Sequence, residues 1–287
     1  MKFVKIEQSR NKDLVATEDT ILDNLKNSNE ARKIDIECAD FNWSDFINAN
    51  GITKTQEVVD EYSRKFKNPE KAIFICQHIS VDKINWRSEN VFTPHATINK
   101  FKCIPHYAVN QGKNKKISDR KYITSFMGSF ETNICRSYMH HSFKNYLDTE
   151  ETFFKDTGKW HFYHRDLSRE EEYKKVLSDT IVSLCPRGTG PSTIRLWESM
   201  ATGCIPFVIS DQYVMPLSTH FNWDELVISI PPWHALLSQR IVEKLKNNID
   251  YDLLQEKSNK LYNIYQKYFS NENLHMTILE NIKELIK

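Results

Sequence analysis

A chain of 287 residues with 40% hydrophobic content holds enough apolar material for one large core or two α/β lobes, which excludes a disordered chain. Lysine and arginine number 39 against 38 aspartate and glutamate, and the resulting +1 lacks the basic excess that binding a nucleic-acid backbone requires. No stretch approaches the roughly 20 apolar residues that span a bilayer, so no membrane span is expected.

In Met1 to Glu7 a charge comes before any apolar run of signal-peptide length, and the expectation is a soluble protein of the cytoplasm. The six cysteines are widely spaced and contain no CxxC pair, a pattern that fits neither a zinc knuckle nor a disulfide framework. They are read as reduced thiols.

The first helical spacing runs from Thr53 to Phe66, where Val58, Val59, Tyr62 and Phe66 recur on one face. Short apolar runs at Lys71 to Cys76, Asn90 to Thr93 and Phe101 to Ile104 read as strands. Gln111 to Arg120 gathers basic residues with Gly112 and Asn114, and is read as the linker between a lobe of residues 1–115 and one of residues 116–287.

Beyond it strand and helix signals alternate: Tyr122 to Phe126, Arg136 to Tyr146, Trp160 to Tyr163, Glu170 to Leu177, Ile181 to Leu184, Ser192 to Ala201 and Ile205 to Ile209. Such alternation with short connections predicts parallel strands and crossover helices, a Rossmann-like lobe. The tail from Ser238 to Lys287 is helical in pattern, and its helices are expected to pack outside and to reach back to the first lobe.

The segment from Ile181 to Asp211 concentrates the chemistry. Gly188 and Gly190 allow the backbone to approach a ligand, Pro191 suits the first position of a helix, and Gly203 suits the residue that ends it. A helix starting near residue 191 aims the amides of Ser192 and Thr193 at the loop, a setting for phosphate. Arg187 stands where it can pair with a diphosphate in bidentate fashion, worth about 1.5–3 kcal/mol. Ile194, Trp197 and Ala201 face the core by spacing. Arg195 and Glu198 then fall one turn apart on another face, where a carboxylate can accept both hydroxyls of a ribose or simply form a solvated pair with the arginine.

Cys185-Pro186-Arg187-Gly188, Ser192, Arg195-Leu196-Trp197-Glu198, Gly203-Cys204-Ile205-Pro206 and Asp211 resemble, in order, the signature of the exostosin-type glycosyltransferases. The resemblance extends to Tyr173 to Ser178 before the signature and to Pro216 and Trp223 after it. Ser125-Phe126-Met127-Gly128-Ser129 resembles the opening of the family's second lobe, with Arg136 on the helix behind it. Met127 stands where the family has arginine. Gly128, Ser129 and Arg136 join the donor-binding set on this ground. Before residue 110 the likeness is faint, at Gln77-His78 and Ile104 to Tyr107.

The resemblance implies two Rossmann-like lobes in the glycosyltransferase B-type architecture, with a small N-terminal acceptor-binding lobe and a C-terminal nucleotide-sugar-binding lobe. It implies an inverting reaction that moves a sugar from a UDP-sugar to a glycan hydroxyl, with no metal and no cofactor beyond the donor. The sugar is open, with a lean toward a pentose such as xylose. Asp250-Tyr251-Asp252 is the one Asp-x-Asp triplet, and it lies between helical segments as a solvated turn rather than a metal site.

Inversion requires a base near the acceptor hydroxyl, and His78, Asp82, Glu89 and His95 are the candidates, with Asp82 and His78 first. His140 and His141 are read as structural. Trp160 and His164 are candidates to border the nucleotide base. The alternative is a nucleotide-sugar-binding module without turnover; a dinucleotide enzyme is disfavoured by the absence of Gly-x-Gly-x-x-Gly.

Overall fold

In the computed structural model, residues 1–6, 17–145, 149–158 and 166–286 are described. The expected Trp160 to Tyr163 strand, and with it Trp160 and His164, lies outside them. The chain divides into two compact units, one of Met1–Tyr107, Tyr213–Phe221 and Tyr268–Lys287, the other of Ala108–Gln212 and Asn222–Lys267.

The first unit is built on five parallel strands in sequential order: β1 (Lys2–Lys5), β2 (Glu37–Asp40), β3 (Ile73–Ile75), β4 (Asn90–Thr93) and β5 (Lys102–Cys103). Its helices are α1 (Thr17–Asn27), the short α2 (Asn29–Arg32), α3 (Trp43–Ser63) and the returning α10 (Met276–Ile286). Asn42 starts α3 by accepting the amide of Asp45 at 3.0 Å. Gly51, at φ 77°, breaks α3 in two, so the periodic stretch from Thr53 covers only its second half.

The alternating sides of β3 feed two cores. Phe74 packs with Trp43, Phe66 and Trp86, at ring separations of 5.5–5.8 Å, on one side. Ile73 and Ile75 pack with Ile21, Leu22, Ile278 and Leu279 on the other. The hydrophobic side chains of α10 thus complete a face that residues 1–107 leave open.

The second unit carries β6 (Tyr122–Gly128), β7 (Thr152–Asp156), β8 (Thr180–Pro186), β9 (Ile205–Ile209) and β10 (Ile228–Ile230), parallel in the order β10-β9-β8-β6-β7. Its helices are α4 (Ile134–Ser142), α5 (Leu167–Ser178), α6 (Ile194–Ala201), the short α7 (Trp223–Leu226), α8 (Ser238–Asn247) and α9 (Tyr251–Ile264). β6 pairs with β7 on one side and with β8 on the other, so the chain reverses direction across the sheet between β6 and β8. At such a reversal the loops leaving the two strands diverge, and the carboxyl ends open a crevice.

Both units are Rossmann-like α/β lobes, in keeping with the expected fold class. The first is not the small lobe expected, because Tyr213–Phe221 and α10 join it. The expected boundary at 115 also moves. Residues 108–120 pack on the second unit: the amides of Gly112, Lys113 and Ile117 donate to Thr202 Oγ1 (3.1 Å), Ser178 Oγ (2.7 Å) and Gln255 Oε1 (2.8 Å). A basic segment read as a linker is held by side-chain acceptors distant in sequence. Asp250, the first residue of the Asp-x-Asp triplet, caps α9 by accepting the amide of Leu253 at 3.0 Å. His140 stacks on Phe130 at 4.3 Å, a packing role.

Candidate functional site

The site is assembled at the β6/β8 reversal, from the loop after β6, the first turn of α4, the loop after β8 and the first turns of α6. The amide of Arg187 continues the β8–β9 ladder by donating to the oxygen of Ile209 at 2.9 Å, which sets the arginine at the carboxyl edge. Its Nη1 pairs with Asp211, just past the end of β9, and its Nε is buried without a hydrogen-bond partner among the described residues. An unsatisfied buried donor costs about 1–3 kcal/mol, and an acceptor brought by a ligand would relieve it.

Arg136 reaches across from α4. Its guanidinium donates to the main-chain oxygens of Ser129 (2.9 Å), Arg187 (3.0 Å) and Pro186 (3.3 Å), so it ties the two loops together. Burial, and next the charge of Arg195, push it down to about 10, which leaves it charged at neutral pH. Asn133 adds a second tie, donating from Nδ2 to the oxygen of Gly188 at 3.1 Å. At Gly128 a side chain would bring a Cβ to 3.2 Å from the Phe126 ring, tighter than ordinary contact, so the ring would have to give way by a few tenths of an ångström. Ser129 is buried beside it.

The helix begins later than the sequence suggested. α6 starts at Ile194 with Thr193 as its N-cap, because Pro191 lies in the preceding turn, where its oxygen accepts from Ser210 Oγ at 2.5 Å. The amides of the first turn are therefore those of Ile194 and Arg195 rather than Ser192 and Thr193. Ser192 is buried just ahead of the helix. Gly203, at φ 71°, ends the helix as expected.

Arg195 and Glu198 are not on a solvated face: they are 7% and 4% exposed. The Arg195 guanidinium lies between the rings of Phe126 (4.6 Å) and Tyr173 (4.8 Å), its Nη2 donates to the oxygen of Met127, and its Nη1 is buried without a hydrogen-bond partner among the described residues. Glu198 accepts the amide of Asn110 (2.9 Å) and its Nδ2 (3.2 Å) on one oxygen, and the Tyr173 hydroxyl (2.6 Å) on the other. Burial raises its carboxyl above the usual range, against the lowering effect of Tyr173, Asn110 and Arg195. Three of about four lone pairs are in use, so Glu198 has room for one further hydroxyl and not for the two expected of it.

Asn110 and Tyr173 were not foreseen as site residues. Asn110 lies in a stretch without periodicity, and Tyr173 was visible only as part of a helix. Gly128, Ser129, Arg136, Arg187, Gly188, Ser192, Thr193, Arg195 and Glu198 all belong to the second unit.

The base candidates belong to the first unit. His78 follows β3; its Nδ1 accepts the amide of Ser80 at 3.1 Å, which puts its proton on Nε2, 3.2 Å from Asn48 Oδ1. Burial, and then Lys83, lower its pKa. Asp82 is exposed and lines an open depression with Glu70, Glu89 and Lys100. Glu70 and Glu89 precede β3 and β4, so that depression lies toward the amino edge of the sheet. No hydrogen bond or ion pair joins Asp82 to His78 among the described residues. His95, beyond the carboxyl end of β4, packs edge-on against His106 at 5.2 Å, and burial pushes it down to about 4. It is neutral at physiological pH.

The Exostosin GT47 domain model matches residues 51–271. The exostosin-1 homolog of Caenorhabditis elegans is 27% identical over 166 residues, 50% of this chain and 44% of that protein. The probable beta-1,4-xylosyltransferase IRX10L of Arabidopsis thaliana is 32% identical over 94 residues, 27% of this chain and 23% of that protein. The chain thus spans less than half the length of these relatives. Among solved structures, a glycosyltransferase from Rickettsia africae ESF-5 superposes over 98% of this chain and 85% of its own, with 13% identity and a TM-score of 0.43. The GtfA/B complex covers 92% of this chain and 60% of its own, with 12% identity and a TM-score of 0.45. With a match running from the first unit through the arginine-bearing loops, the chain belongs to the exostosin GT47 family.

Proposed function

We propose that the chain is an inverting glycosyltransferase that moves a sugar from a UDP-sugar to a glycan hydroxyl, with the second unit as the donor-binding lobe and the first as the acceptor-binding lobe. The observation that carries this reading is the convergence of Arg136, Arg187 and Arg195 on the β6/β8 reversal, with Arg187 Nε and Arg195 Nη1 buried and without a hydrogen-bond partner among the described residues. Asp211 offsets one of those charges and Glu198 lies near another. A diphosphate would accept from both orphaned donors.

In the reaction the acceptor oxygen attacks the anomeric carbon as the bond to the diphosphate breaks, the electron pair leaves with UDP, and the acceptor proton passes to a base. Arg187 and Arg195 meet the charge that develops on the leaving diphosphate, which stabilises the transition state more than the ground state. Two fixed guanidinium groups in a buried setting supply the charge that a metal would otherwise bring, and the proposal is metal-independent with no further cofactor. Glu198 takes one ribose hydroxyl.

For the base, Asp82 and His78 led on sequence. The carboxyl edge of a parallel sheet favours His95 and His78 over Asp82, and the lone pair of His78 Nδ1 is already engaged by Ser80. The two histidines therefore come before Asp82.

The names of relatives, a xylosyltransferase and glucuronosyltransferases among them, support a donor such as UDP-xylose or UDP-glucuronate. The burial of all six cysteines without a bridge supports a reducing, cytoplasmic setting. The second reading, binding without turnover, draws on the engaged lone pair of His78 and the exposure of Asp82. Release of UDP from a panel of UDP-sugars, with oligosaccharide acceptors and a chelator present, separates the two. Turnover with one donor supports the transferase, whereas tight UDP binding with no release for any donor and acceptor supports the module.

A further inference from the structure

The second unit exposes large apolar side chains in one neighbourhood of α4 and the elements packed on it. Ile134 (64% exposed) and Tyr138 (46%) lie one turn apart on α4, and Trp233 (69%), Leu236 (52%) and Leu237 (44%) lie on the 3-10 helix Pro232–Leu237 that packs along α4. The three-residue repeat of that helix explains the exposure: Ala235 and Ser238 are fully buried, so Trp233 and Leu236 share an outward ridge with Leu237 beside it. Single exposed apolar residues are ordinary, but a cluster on two adjoining elements marks an interaction surface.

The surroundings say what kind. α8 begins against the end of α4, where the amide of Gln239 donates to Ser142 Oγ at 3.3 Å. Past this point Arg240 and Lys244 are exposed on α8, as is Lys144 beyond the end of α4. None of the three has an ion-pair partner among the described residues. Lys246 has one in Glu151, and the acid nearest in sequence, Glu243, accepts from Gln239 Nε2 at 2.8 Å. A ridge of tryptophan and leucine standing out of the surface, bordered by cations that form no ion pair among the described residues, fits a layer that is apolar below and anionic above.

We propose that this face docks on an anionic lipid surface, with Trp233, Leu236 and Leu237 entering the headgroup layer and Arg240, Lys244 and Lys144 meeting lipid phosphates. A sugar platform would need the aromatic face but not the aliphatic neighbours or the cations. The docking is independent of which donor the arginine site takes.

The test is co-sedimentation of the full chain with phosphatidylcholine vesicles, with and without phosphatidylglycerol, at low and high salt. The expected result is binding at least about tenfold stronger to the anionic vesicles and weakened by salt. A Trp233→Ser, Leu236→Ser variant and a separate Arg240→Glu, Lys244→Glu variant each lose most of it, with unchanged melting temperatures because all four residues are exposed. Absence of binding to anionic vesicles overturns the proposal, as does binding that both variants retain. A dimer in sedimentation that Trp233→Ser dissociates also overturns it, in favour of a second copy on this face.

Discussion

The guanidinium of Arg136 donates to the main-chain oxygen of Arg187 at 3.0 Å, so one arginine shapes the loop that presents the other. Arg136 spends its donors on three carbonyl groups, and its contribution to an anion is largely through position and long-range charge. Arg136→Ala should therefore lower the stability of the second unit by about 2–4 kcal/mol in urea unfolding, since three acceptors lose a charged donor. Arg136→Lys should recover less than half of it, because one ammonium cannot reach three divergent oxygens.

Tyr173 joins Arg195 and Glu198, the two residues that sequence spacing puts one turn apart on α6. It covers Arg195 at 4.8 Å and donates to Glu198 at 2.6 Å. Tyr173→Phe keeps the ring and removes the hydroxyl, a charged hydrogen bond worth about 1.5–3 kcal/mol. That bond favours the ionised carboxylate, so its loss raises the Glu198 pKa further. The acid limb of the UDP-affinity profile should move to higher pH in Tyr173→Phe, as read by calorimetric titration across pH; an unmoved limb would separate Glu198 from nucleotide binding.

Much of this arrangement could be read in the sequence, and the part that could not has a common cause. β3, β4, β6, β8 and β9 are short apolar runs between turn residues, which is a local signal. β1 (Lys-Phe-Val-Lys) and β2 (Glu-Cys-Ala-Asp) carry polar ends and went unread. β7 (Thr-Phe-Phe-Lys-Asp) sits at the sheet edge with its last two residues exposed, and its pattern is no stronger than that of a loop. Glycines, arginines and the signature order marked the donor segment. The burial of Arg195 and Glu198 was not legible, because Met127, Tyr173 and Asn110 reach them from other elements and no spacing rule connects those positions. The same holds for Tyr213–Phe221 and α10, whose return to the first unit depends on tertiary packing.

In the first unit Glu18 is fully buried, accepting the amide of Gln77 at 2.7 Å and the amide and hydroxyl of Ser44. Burial raises its pKa from 4.5 to about 7, against the lowering effect of those donors. The folded state binds this proton more tightly than the unfolded chain, so the contribution is complete below pH 4.5 and is lost as the pH rises through about 7. The difference corresponds to about 3 kcal/mol. Glu18→Gln should flatten the fall in unfolding free energy between pH 5 and 7; an unchanged slope would assign it to another group.

His95 provides the test of the base. His95→Asn should lower kcat at least about a hundredfold, the usual contribution of a general base, with the donor KM little changed. Asp82→Asn should leave both constants within about twofold, as expected of an exposed carboxylate outside the reaction. The reverse pattern would restore the order that the sequence suggested.

On the proposed function, the β6/β8 reversal binds a nucleotide diphosphate through Arg187 and Arg195. Calorimetric titration of UDP and of uridine into the protein and into Arg187→Ala, all with chelator present, tests it most directly. UDP should bind well above uridine without metal, and Arg187→Ala should weaken UDP at least about tenfold, leaving the weak binding of uridine unchanged. Equal affinity of the two proteins for UDP, or of the native protein for UDP and uridine, would contradict it.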